Sequence, residues 1–187
     1  MNEGVLLAVS RWVESIVIGL NLCPFAKREW VAKKVRIEVT QSSDPVDLLE
    51  DLAAEMVRLD ENKNIETTLL VHPNVLAHFL DYNEFLGFAD NLIEELGYSG
   101  VYQLASFHPD YQFASTSVDA IENYTNRAPY PMLHLLREQS LERAIDSYPD
   151  TSMIPKKNIR CVKQLGIEYM KNLLEECYEQ SGSRDSV

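Results

Sequence analysis

The chain has 187 residues, 45% of them hydrophobic and 25% charged, a length at which one core buries about 70% of the unfolded chain's surface and needs neither disulfides nor a structural metal. Seventeen Lys and Arg against 29 Asp and Glu leave a formal charge of −12, which opposes binding to a phosphate backbone or an anionic membrane surface. The three cysteines, Cys23, Cys161 and Cys177, are odd in number and lack paired metal spacing, which fits reduced thiols in a cytoplasmic protein.

Val5, Ala8, Val9, Trp12, Val13 and Ile16 recur every three or four residues and predict an amphipathic helix ending near Gly19. Glu3 stands where a signal peptide carries basic residues, and Arg11 and Glu14 interrupt the apolar run, so export and membrane spanning are both disfavoured. Pro24 then biases Cys23 away from helical geometry, placing a thiol in an extended segment just past the helix end.

Val35, Ile37 and Val39 alternate with Arg36, Glu38 and Thr40, the period of a strand with one wet face at a sheet edge. Asp44-Pro45 opens a helix striped by Leu49, Leu52, Met56 and Leu59. The apolar run 67–71 reads as a buried strand leading into His72-Pro73. A short turn around 75–79 and a longer helix follow, with Asp81 and Glu84 as a capping pair and Gly97 as its stop.

The next strand, 101–107, also ends in a His-Pro pair, His108-Pro109, and 132–136 is a fourth. Residues 109–131 between them are too many for a hairpin, and connections of that length are usually functional. A helix to about Asp146, a turn at Pro149-Asp150 and one long helix from Pro155 to about Tyr178 complete the chain. The expectation is an α/β fold over 1–179: a mixed sheet of about four strands, the first three parallel through helical crossovers and the last antiparallel, packed by about five helices. Residues 180–187 read as a disordered tail.

Four motifs carry a resemblance: Gly19-Leu20-Asn21-Leu22-Cys23-Pro24-Phe25; Phe107-His108-Pro109-Asp110-Tyr111-Gln112-Phe113; Asn123-Tyr124-Thr125-Asn126-Arg127 with Pro129-Tyr130-Pro131; and His134-Leu135-Leu136-Arg137-Glu138. In this order they resemble a bacterial family catalogued as domain of unknown function 1415, over nearly the whole chain up to the final helix. The resemblance implies a single bacterial domain of this length and no nameable activity, so the chemistry is argued from the side chains.

Parallel strands would bring His72 and His108 to the carboxyl edge of the sheet, where open α/β sheets bind ligands. His108 beside Asp110 can act as general acid or base with the carboxylate fixing its tautomer, or the pair can simply close a turn. Arg127 with Asn126 can orient an anionic substrate, Asn123, Tyr130 and Arg137 lining the same place, or it can pin the loop internally. His134 shares a strand face with Met132 and Leu136 and reads first as a core histidine. Cys23 reads as nucleophile, ligand or buried hydrophobe, the last leading. The leading expectation is a small-molecule enzyme using His108 and Asp110. The alternatives are an anion or metabolite binder and a zinc or iron protein drawing on His108, His134, Cys23 and His72, whose spacing lacks any close ligand pair.

Overall fold

The computed structural model describes residues 2–146, 148 and 150–178. At its centre lie β1 (Val35–Val39), β2 (Thr67–Val71), β3 (Tyr102–Phe107) and β4 (Met132–Arg137), in the spatial order β1-β2-β4-β3. The fold is mixed α/β. β1 and β2 are parallel, with Val35 beside Thr67, while β4 is antiparallel to both neighbours, His134 facing Leu69 on one side and Ala105 on the other.

The expected side-by-side parallel trio is corrected by this order. Only β1 and β2 pair parallel; β3 never meets β2, because β4 lies between them. The reason is visible in β4 itself. Leu133 and Leu135 join the core on one face and Met132 joins the core on the other, so the strand is apolar on both sides and is most stable in the interior of the sheet. β1, with charged residues on one face, takes an edge.

Seven α-helices cover the sheet among the described residues, two more than expected: α1 (Asn2–Trp12), α2 (Ala26–Val31), α3 (Pro45–Glu61), α4 (Phe79–Glu95), α5 (Glu138–Asp146), α6 (Ile154–Leu165) and α7 (Ile167–Glu176). The single long final helix is broken at Gly166, whose φ of 85° and ψ of 158° no helix accommodates. α2 is too short for its periodicity to be read. Asp44 caps α3 as expected, its side chain accepting from the Val46 amide at 2.8 Å with Pro45 in the first turn. The Asp81 and Glu84 capping pair does not form, because α4 already begins at Phe79 and has no side-chain cap.

α3 and α4 pack Leu52, Met56, Tyr82 and Phe85 against Leu70, Leu133 and Leu135. On the opposite face α1, α6 and α7 bring Val9, Trp12, Val162 and Met170 against Leu69, Val71 and Met132. No described helix is long and apolar enough to cross a membrane. The expected tail, 180–187, and Pro149 of the expected turn lie outside the described residues.

Candidate functional site

The loop after β3 is stitched to itself. His108 is fully buried, and its Nδ1 accepts from the Asp110 amide at 3.0 Å while Nε2 donates to the Leu76 carbonyl at 3.2 Å. With the amide hydrogen on the Nδ1 side, only the Nε2–H tautomer satisfies both contacts. Burial lowers its pKa further. The expected carboxylate-to-imidazole contact is replaced by one from the Asp110 backbone, and neither ring nitrogen is left for a substrate.

The loop's polar side chains are spent in the same way. Arg127 donates to the carbonyls of Tyr111 at 3.4 Å and Val118 at 2.8 Å and stacks 4.5 Å from the Tyr124 ring centroid. Asn126 donates to the Ser106 carbonyl at 3.2 Å. Asn123, fully buried, accepts from the Phe113 amide and Thr116 hydroxyl and donates to the carbonyls of Ser117 and Val118, which exhausts the capacity of a carboxamide. Tyr130 meets Tyr178 edge-on at 5.6 Å. Arg137 donates to the carbonyls of Leu59, in the last turn of α3, and Ile65, just beyond it. Tyr130 aside, these residues hold backbone groups rather than a common ligand.

A cavity of about 260 Å³ lies elsewhere, between the sheet and the helices of the first chain segment. Trp12, Val13 and Val17 form one wall; Leu69, Phe107, His134 and Leu136 form the sheet side; Leu141 and Ala144 of α5 close another. Val35 and Thr67, the first residues of β1 and β2, both line it, so it reaches the amino edge of the parallel pair and not the carboxyl edge expected. That edge is available because β4 runs antiparallel and passes straight into α5 at Glu138, which folds Leu141 and Ala144 over the opening.

The segment that supplies Cys23 to this cavity is held by unusual backbone. After Trp12 the helix widens into a π-helical turn over Val13–Ile18, a feature that often marks functional sites. Asn21 takes a positive φ of 53°, and Asn158 of α6 donates to the Leu22 carbonyl at 2.7 Å. Trp30 of α2 donates to Glu14 at 3.0 Å, tying the next helix back onto the π turn.

His134 sits in the cavity wall with a tautomer that the hydrogen bonds determine. Thr67 Oγ1 gives its only proton to the Leu135 carbonyl at 2.6 Å. The 2.8 Å contact between that oxygen and His134 Nε2 is therefore donated by the imidazole. Nδ1 keeps its lone pair and has no partner among the described residues. Burial pushes the His134 pKa down to about 4, so the ring is neutral at pH 7. Cys23 is pushed the other way, burial raising the pKa of its thiol above its ordinary value, and it stays protonated.

Glu66, also in the cavity wall, has a buried carboxylate oxygen without a hydrogen-bond partner among the described residues. At the mouth, exposed Arg28 is paired with Glu29 at 2.6 Å. Glu66, Thr67 and the apolar wall were not singled out from the sequence. The usable signal was that His134 alternates with Met132 and Leu136, which assigns it to one sheet face.

The histidines proposed as metal ligands do not converge. His72 and His108 flank Tyr82 of α4, with ring centroids 5.7 Å and 5.1 Å away, whereas His134 and Cys23 share the cavity on the other face. Among the described residues no group of three or more His, Cys, Asp or Glu is placed to hold a metal ion. His72 donates from Nδ1 to the Val75 carbonyl at 3.0 Å and leaves Nε2 buried without a partner among the described residues. Within α6, Lys163 approaches Glu122 at 3.8 Å and Lys157 lies over the Tyr148 ring at 5.6 Å.

Comparison with curated proteins and with solved structures finds no match. The model of the family described as protein of unknown function (DUF1415) matches residues 5–172, and over that span, which holds the whole sheet, the π turn and the cavity, the chain belongs to that family.

Proposed function

We propose that this protein binds a small, largely apolar molecule in the cavity between the sheet and helices α1, α2 and α5. The observation that carries the reading is the cavity itself: about 260 Å³, just below the range of about 300–1,000 Å³ common for small-molecule sites, with a mostly apolar wall and few polar groups. An apolar space of about 150 Å³ is already enough to admit benzene, so this one has room for a substituted ring.

Binding is favoured over turnover by the state of the two groups that chemistry would use. A thiol held protonated is a weak nucleophile, and an imidazole with a pKa near 4 is a poor general base at neutral pH. The acid–base reading on His108 and Asp110 is not carried forward, since both ring nitrogens of His108 are engaged by backbone.

Propylbenzene serves as the probe. Saturable binding is expected, with a rise in Tm that grows with probe concentration and NMR shift changes confined to Trp12, Cys23, Phe107, His134 and their neighbours. No rise in Tm, or shifts scattered over the surface, would remove the proposal.

A further inference from the structure

The polar atoms on the cavity wall are unequal in kind. One is an acceptor without a partner among the described residues: His134 Nδ1, freed because Nε2 is committed to Thr67. Thr67 has no proton left to give, and the Cys23 thiol is only a weak donor. Two cations border the cavity, each turned to a protein partner: exposed Arg28 to Glu29, and Arg137 to the carbonyls of Leu59 and Ile65.

A carboxylate seated at the polar end of this wall would lose its water and meet the lone pair of His134 Nδ1, acceptor against acceptor. An uncharged donor meets the opposite situation. It completes an acceptor that has no partner among the described residues, and sites built to hydrogen-bond a hydroxyl discriminate strongly against analogues that lack it.

Resting on the reading of the cavity as a binding site, we infer that its ligand is an apolar molecule carrying one uncharged hydrogen-bond donor, an alcohol or a phenol, seated with the donor on His134 Nδ1, and that the matching carboxylate is rejected. The ring body lies against the apolar wall of Val13, Val17, Leu136 and Leu141, and the hydroxyl points at the sheet. The specificity device is thus the pair Thr67 and His134: Thr67 selects the tautomer and His134 presents the lone pair.

The test compares propylbenzene, 4-propylphenol and 4-propylbenzoate on the full chain at pH 7 by titration calorimetry. The phenol is expected to bind roughly fivefold or more tighter than propylbenzene, as one hydrogen bond gives, and the benzoate more than about a hundredfold weaker than the phenol, as an unpaired buried charge requires. In His134→Phe the phenol and propylbenzene become equal. A readout that needs no variant is the ¹⁵N signal of the unprotonated His134 nitrogen, which moves upfield with the phenol and stays in place with propylbenzene.

A benzoate that binds as tightly as the phenol overturns the inference, as does a phenol no tighter than propylbenzene or a nitrogen signal that ignores it. Those results leave the cavity as a binding site, since propylbenzene still binds. Failure of propylbenzene and the phenol alike removes the site itself.

Discussion

At the scale of single residues, the same residue type serves opposite ends depending on what its neighbours leave unpaired. His108 has both nitrogens engaged by backbone and acts as a strut, whereas His134 has one engaged and one open. The buried, neutral histidines make the fold acid-sensitive. Burial depresses His134 and His72 to about 4 from about 6.5 in the unfolded chain, so between those values the unfolded state takes up protons that the folded state refuses. Their stabilisation is complete above pH 6.5 and is lost as pH falls towards 4, by roughly 3 kcal/mol for each group. Urea unfolding at pH 7, 5.5 and 4.5 is expected to show this decline, and His134→Phe to make it shallower. Asn123 is the corresponding strut of the loop: Asn123→Ala removes its four hydrogen bonds to Phe113, Thr116, Ser117 and Val118 and is expected to cost about 1–3 kcal/mol, with faster amide exchange at Phe113 as the local sign.

Among elements, the π turn over Val13–Ile18 decides where the cavity wall stands, because it sets the phase at which Val13 and Val17 face the sheet and where the chain leaves for Cys23. Gly19 ends that turn with its backbone so close to the preceding turn that an added Cβ would lie 2.2 Å from the Ser15 carbonyl oxygen. Gly19→Ala must therefore move backbone, at a cost of about 1–3 kcal/mol, and is expected to weaken propylbenzene binding as the 20–25 segment shifts. Gly87 is the control. It lies on the exposed side of α4 with nothing within 4 Å of an added Cβ, and Gly87→Ala is expected to stabilise by about 0.5–1 kcal/mol through helix propensity alone. Urea unfolding of the two variants separates close approach from simple backbone freedom.

For the whole molecule, the cavity is a vacancy between two well-packed layers. α3 and α4 close one face of the sheet with buried Leu, Met and aromatic side chains, and α1, α6 and α7 close much of the other. An apolar void lowers stability because its lining atoms lack contacts on one side. Val17→Phe, projecting into that space, is expected to raise Tm by a few degrees and to abolish binding of propylbenzene, a pairing of effects that a rearranged surface would not give. A fall in Tm with binding retained would place Val17 away from the cavity.

The local elements were legible in the sequence wherever periodicity and caps act over a few residues. β2 at Thr67–Val71, α5 at Glu138–Asp146 and the Asp44 cap follow from apolar alternation, helical phase and side-chain reach. The family resemblance rests on four ordered motifs and extends to residues 5–172. Long-range facts were out of reach. The apolar faces of 132–137 mark β4 as an interior strand but do not state which two strands it enters between, because strand order is chosen by which faces can be buried together, a property of the assembled sheet. That choice moved the open space to the amino edge and turned the conspicuous cluster around His108 and Arg127 into internal bracing. Polar residues crowded in sequence were satisfied by nearby backbone, while the imidazole nitrogen left open beside the cavity lay on a strand that composition reads as core. Hydrogen-bond partners are assigned only when the chain has closed on itself, so the sequence marked which residues are chemically capable and the tertiary structure decided which of them remained available.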